Sequence, residues 1–191
     1  MNDNTIISPD HRIRVHDRTF RPYIRREEIE DMVSEIAARI NADFAGQEVL
    51  ALVILKGAMV FASDLMRQLT IPVTVEVTRA SSYGNGMTHS GTTVIEGMTV
   101  DVTDQNVLII EDIVDTGTTI RDLIKHIGGR QPRSITVAAL LSKPTVHKDT
   151  LSIDYVGREI APDFVVGYGM DYAGHGRQLD AIWVVSDDPT A

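Results

Sequence analysis

The stretch from Val107 to Ile120, VLIIEDIVDTGTTI, constrains this chain more than any other. Val107, Leu108, Ile109 and Ile110 form an apolar run with β-branched content, the pattern of a parallel strand buried on both faces. Such a strand requires helices on either side of its sheet. Glu111 and Asp112 follow the run, then Asp115-Thr116-Gly117-Thr118-Thr119, then a segment in which Ile120, Leu123, Ile124 and Ile127 recur at helical spacing. The expected order is strand, loop, helix.

A loop that enters a helix in this way is an anion site, because the first N–H groups of the helix lack partners and the dipole is positive there. Gly117 permits close approach of the backbone, and Thr116, Thr118 and Thr119 add hydroxyl donors. Glu111, Asp112 and Asp115 would repel a bare phosphate, and a nucleoside triphosphate loop would place a lysine here. A ribose phosphate reconciles the two. Its phosphate sits on amides and hydroxyls while the carboxylates accept from sugar hydroxyls or face a divalent cation. The plainer alternative is a strand-to-helix turn capped by Asp and Thr and bent at Gly, which leaves the paired acids unexplained.

With those residues in place, Val107 to Ile120 resembles the phosphoribosyl-diphosphate loop of the type I phosphoribosyltransferases, in their hypoxanthine-guanine branch. The resemblance covers about Glu27 to Val185. It implies an Mg2+-dependent transferase that joins hypoxanthine, and guanine, to 5-phosphoribosyl 1-diphosphate and releases diphosphate. Glu111 and Asp112 would then hold the ribose hydroxyls with magnesium. Asp115, Thr116, Gly117, Thr118 and Thr119 would hold the ribose phosphate, and Asp115 would also exchange a proton with purine N7. Ile113 would join the purine-binding set.

Composition narrows the class without naming a function. At 191 residues the chain suits one domain, 1–191, with a small hood and flap. A net charge of −9 disfavours binding to bulk nucleic acid. The lack of cysteine excludes disulfides, thiolate metal sites and cysteine nucleophiles. No stretch approaches the ~20 apolar residues of a membrane span, so the expected location is cytoplasmic.

Residues 1–26 read as a polar, irregular, arginine-rich arm for solvent or a subunit contact. Ile29, Met32, Val33, Ile36, Ala37 and Ile40 then mark one helix face, started by Glu27 and Glu28 and stopped by Gly46. Val49 to Leu55 is a second buried strand, followed by Lys56-Gly57 and a helix over 58–69. A lysine at a strand end is either a snorkelling surface residue or an anion contact. The resemblance implies the latter, with Lys56 and Gly57 lining the diphosphate pocket through a strained backbone as well as the lysine.

Val73 to Thr78 alternates as a strand, and the polar, glycine-rich segment after it suggests a mobile loop. Gly84 and Gly86 make a G-x-G, but His89 stands where a dinucleotide fingerprint needs glycine. The resemblance implies a closing flap over about 79–106, with Ser82 and Tyr83 covering the reacting centre to exclude water. Its returning arm, 94–106, departs from the family in lacking some of the usual acids.

Ser134 to Leu141 reads as another buried strand, ending at Lys143. Lys143 is either a turn lysine held by Pro144 or, as the resemblance implies, a donor to the 6-oxo group of a purine. The family often carries an arginine shortly afterwards, where this chain has His147 and Lys148. Phe164 reads as core or, by resemblance, as the purine-stacking residue, with the Val165 backbone at the base edge. Asp171 would join the magnesium and purine sites, and Arg177 the diphosphate site.

The fold class expected is α/β: a mainly parallel twisted sheet with helices on both faces, plus a hood from the N-terminal arm and about 145–191. The partners implied are 5-phosphoribosyl 1-diphosphate, a 6-oxopurine, and further copies of the chain in a homodimer or homotetramer. The alternatives are a nucleotide-sensing regulator on the same fold, or a transferase preferring xanthine or another base.

Overall fold

The computed structural model describes residues 6–7, 12–82, 93–96, 100–147 and 151–186. In chain order the elements are β1 Ile6–Ile7, β2 Ile13–Val15, β3 Arg18–Ile24, α1 Arg26–Asp43, β4 Val49–Leu55, α2 Met59–Met66, β5 Val73–Ser82 and β6 Thr93–Glu96. They continue with β7 Asn106–Val114, α3 Thr118–Gly128, β8 Ser134–Ser142, α4 Pro144–His147, β9 Tyr155–Glu159, β10 Val165–Val166 and β11 Ile182–Val185. Tyr83 and Lys148 lie outside the described residues, as do residues 83–92 and 97–99 of the anticipated flap.

The main sheet has the order β6-β5-β4-β7-β8-β9. Strands β5, β4, β7, β8 and β9 run parallel, and β6 pairs antiparallel with the end of β5, Arg79 opposite Glu96. Alternate residues of a strand face opposite sides, and here both sides are apolar. Val49, Ala51 and Val53 pack with Ile29 and Ile36 of α1 and with Phe61 and Leu65 of α2. Leu50, Leu52 and Ile54 pack with Ile120, Leu123 and Ile127 of α3. Each such buried side chain contributes roughly 1.5–3 kcal/mol, so both faces need their helices. The expected α/β layering is therefore present.

Three boundaries differ from expectation. Residues 12–24 are not part of an irregular arm: β2 and β3 form a hairpin whose Ile13, Val15, Phe20 and Ile24 are 0–1% exposed. Its arginines disguise the pattern because they occupy the outward positions between those apolar residues. Strand β7 does not stop at Ile110 but runs to Val114, held by pairing with β8 as far as Val114 opposite Ser142. Glu111 and Asp112 are thus strand residues. The sequence suggests a last strand over Leu179 to Val185, but it starts at Ile182.

A second, antiparallel sheet has the order β1-β2-β3-β11-β10 and brings N-terminal and C-terminal strands together. Ile24, Val165, Ile182 and Val184 bury one side of it in the same core as α1 and α2. The segment after β10 reaches the main sheet at Gly169, where an added Cβ would overlap the carbonyl of Gly57. The second sheet is thereby seated at the carboxyl end of β4.

Candidate active site

Three parallel strands end at the residues singled out from sequence: Lys56-Gly57 follow β4, Asp115 to Thr119 follow β7, and Lys143 follows β8. Open parallel sheets bind ligands beyond the carboxyl ends of their strands. A cavity of about 200 Å³ lies there, lined by Leu55, Gly57, Glu111, Ile113, Asp115, Thr116, Gly117 and Thr119 among others.

Gly117 sits at the N-cap of α3 with φ +71°, a conformation costly for any residue with a Cβ. Gly117 supplies no side-chain cap and the first turn has no acid, so the leading amides other than the Thr118 N–H are suited to an anion. The hydroxyl of Thr116 accepts from the Thr118 N–H at 3.4 Å and lies 3.2 Å from Thr118 Oγ1. Arg121 Nη2 donates to the Thr116 carbonyl and to Thr118 Oγ1, each at 3.1 Å. Thr118 and Arg121 do not line the cavity. Thr116 and Thr119 do.

Glu111 and Asp112 stand side by side on β7. Burial, and then the charge of Asp112, push the Glu111 carboxyl well above the usual carboxylate range. Asp112 is 8% exposed and accepts the Ile113 N–H at 2.9 Å. Its carboxylate lies where a side chain on Gly57 would have to go. Asp112, Gly57 and Gly169 therefore form one stack that fixes the loop after β4. The Leu55–Lys56 peptide in that loop is cis. Lys56 itself is exposed and does not line the cavity.

Lys143 is 7% exposed, and its Nζ donates to Asp115 Oδ2 at 3.3 Å. Phe164 is 43% exposed, which is unusual for a large aromatic residue and leaves a ring face open. Its ring meets Tyr172 edge-on at 5.6 Å and Phe20 at 6.4 Å. Tyr172 is held in turn by its hydroxyl, 2.7 Å from Asp17 Oδ1, and by Arg18 over its ring. Val165 is buried in β10.

Asp171 and Arg177 are spent on each other. Arg177 Nη2 lies 2.5 Å from Asp171 Oδ1, Arg177 Nη1 donates to the Gly169 carbonyl at 2.6 Å, and Asp171 Oδ2 accepts the Gly174 N–H at 2.7 Å. Arg177 lines a separate cavity of about 510 Å³ between α1, α2 and the segment after β10. The structure thus brings Glu111, Asp115, the phosphate loop and Lys143 together. Lys56, Asp112, Thr118, Lys143, Phe164, Val165, Asp171 and Arg177 do not line the small cavity. Ser82 lies in β5 beside β6.

Reading by residue type overlooked Arg121 and Tyr172. Helical spacing does place Arg121 four residues after Gly117, and so on the loop, but an arginine in a helix reads by default as solvated. Tyr172 carried no signal beyond its place in the Phe164 to Tyr172 segment.

Comparison with known proteins agrees with this geometry. Residues 24–173 match the phosphoribosyl transferase domain. The chain is 37% identical over 163 residues to the hypoxanthine-guanine phosphoribosyltransferase of Mycobacterium tuberculosis H37Rv, covering 82% of this chain and 81% of that one. The enzyme of the same name from Bacillus subtilis 168 is 37% identical over 163 residues, covering 85% and 91%. A crystal structure of a Bacillus anthracis hypoxanthine-guanine phosphoribosyltransferase superposes with a TM-score of 0.82 at 37% identity, covering 86% of this chain and 98% of that one. The match to the family model, the shared fold and the identity to these enzymes lead to one conclusion: the chain belongs to the phosphoribosyl transferase domain family, in the branch of the hypoxanthine-guanine phosphoribosyltransferases.

Proposed function

We propose that the chain is a purine salvage transferase that joins hypoxanthine or guanine to 5-phosphoribosyl 1-diphosphate, giving the nucleoside monophosphate and diphosphate. One observation carries the reading: the 3.3 Å contact of Lys143 Nζ with Asp115 Oδ2 at the edge of a phosphate-loop cavity. It pairs a donor suited to a 6-oxo group with a carboxylate suited to purine N7.

In this reading the amides after Gly117, with Thr116 and Thr119, seat the 5-phosphate. Glu111 and Asp112 accept from the ribose hydroxyls and stabilise the positive charge that builds on the ribose as diphosphate leaves. Asp115 holds the N7 proton, Lys143 donates to the 6-oxo group, and Phe164 stacks on the purine ring. A lysine cannot accept a hydrogen bond, so a 6-amino group would leave it unpaired. The open Phe164 face and the Lys143 donor favour catalysis over a nucleotide-sensing regulator.

Magnesium fits the donor set in a limited way. Among the described residues no group of three acids or histidines could hold a metal ion. Magnesium, however, is bound by one or two carboxylates together with substrate phosphates in such sites. Glu111 and Asp112 supply a carboxylate pair whose own repulsion a cation would relieve, and Asp171 would join them once released from Arg177. When bound, the ion would neutralise the departing diphosphate.

No helix among the described residues is long and apolar enough to cross a membrane, and the phosphorylated substrate suits a cytoplasmic enzyme. The reading includes a homodimer or homotetramer. The test of function is to mix the purified chain with magnesium, 5-phosphoribosyl 1-diphosphate and each base in turn. Turnover with hypoxanthine and guanine is expected, and none with adenine. Silence with every 6-oxopurine would refute the transferase; turnover with xanthine alone would correct the substrate.

A further inference from the structure

The phosphate loop has three carboxylates beside it and no lysine of its own, yet it must attract a dianion. The cation bonded to the loop is Arg121, one helical turn beyond Gly117. The guanidinium reaches back along α3 and, through Nη2, donates to the Thr116 carbonyl and to Thr118 Oγ1, each at 3.1 Å. Those two residues flank Gly117. One arginine nitrogen thus spans the loop on the side away from the cavity, which Thr118 and Arg121 do not line.

A cation here is out of place in an ordinary helix. Arg121 is the fourth residue of α3, where the dipole is positive and an acid would be stabilising, yet the first turn contains none. The like-signed pairing is unfavourable until an anion arrives in front of the amides. The same arginine keeps the Thr118 hydroxyl turned away from the cavity and bonded behind it, while Thr116 and Thr119 line the cavity. We propose that Arg121 is the positioning residue of the ribose-phosphate loop: it holds Thr116 and Thr118 in the anion-ready arrangement and adds the positive charge that draws the 5-phosphate onto the α3 amides. This rests on the transferase reading, and it assigns phosphate recognition to a side chain that touches the loop and not the ligand.

The test is calorimetric titration of the full chain with ribose 5-phosphate, which needs no turnover, on wild type, Arg121→Lys, Arg121→Gln and Arg121→Ala, with melting curves alongside. Arg121→Gln keeps a donor but no charge, and should bind ~10-fold more weakly or worse with little change in melting temperature, on the scale of one charge-assisted interaction. Arg121→Lys keeps the charge and should recover most of the affinity. Wild-type affinity in Arg121→Gln would overturn the proposal, as would equal loss in all three variants in step with their melting temperatures, the mark of a purely structural arginine. Failure of wild type to bind ribose 5-phosphate would also overturn it. A wild type that binds this ligand but turns over no 6-oxopurine would refute the transferase and leave the role of Arg121 standing.

Discussion

Lys143 Nζ donates to Asp115 Oδ2 at 3.3 Å, so the side chain assigned to the purine oxygen and the one assigned to purine N7 are in contact before any base is present. Lys143 is almost wholly buried and Asp115 is largely exposed. A buried ammonium needs a partner, and Asp115 provides it. Lys143→Met should therefore lower kcat/KM for hypoxanthine by ~10²-fold and narrow its preference over adenine, since the discriminating donor is gone. The Lys143→Met, Asp115→Asn double variant should lose much less than the product of the two single losses, because the residues act as a unit. Independent losses in steady-state kinetics would contradict the coupling.

Gly57→Ala should remove sugar-phosphate binding. The new Cβ would overlap the Asp112 carboxylate, which would have to leave its place beside the Ile113 N–H. A cost of about 1–3 kcal/mol is expected from such overpacking, seen as a lower melting temperature together with lost affinity for ribose 5-phosphate. Wild-type affinity in this variant would show that the stack of Asp112, Gly57 and Gly169 does not set the site.

Phe164 offers an open ring, and Tyr172 holds it edge-on at 5.6 Å. Phe164→Ala should raise KM for the base by ~10-fold or more, the range set by base stacking on an aromatic ring, and leave the affinity for ribose 5-phosphate unchanged. Equal weakening of both substrates would place Phe164 in the packing of the hood instead.

Glu111 supplies a pH signature. Its proton affinity is higher in the folded protein than in the unfolded chain, chiefly through burial and then through Asp112. Ionising it destabilises the fold once pH rises above the unfolded value of about 4.3, and the penalty grows until the folded value is reached. Glu111→Gln should then raise the melting temperature near neutral pH, by ~2–4 °C for each kcal/mol relieved, and change it little at about pH 4. A melting shift independent of pH would remove Glu111 as the cause.

The strands and the site were legible to different degrees. Fully apolar runs such as Val49 to Leu55 announce parallel strands because both of their faces are covered, and the three strand ends carrying Gly57, Asp115 and Lys143 do converge. The N-terminal hairpin was hidden: Ile13, Val15, Phe20 and Ile24 are spaced among arginines, and their burial depends on a distant strand, β11, that no local pattern reveals. Glu111 and Asp112 read as loop because acids disfavour strands, yet the ladder to β8 carries β7 through them. The pairing of Asp171 with Arg177 was equally invisible, since it is a relation between side chains and has no spacing rule. Arg121 needed both the helix geometry and the hydroxyl positions before its role could be read.

The most direct test of the account is Asp115→Asn, measured in parallel for turnover with hypoxanthine and for binding of ribose 5-phosphate. Asparagine preserves the size and much of the hydrogen bonding of Asp115 but cannot exchange the N7 proton. Turnover should fall by ~10²-fold or more while sugar-phosphate binding is largely kept, on the scale of general acid/base catalysis. Near-normal turnover in this variant would take the proton transfer away from Asp115 and contradict the mechanism.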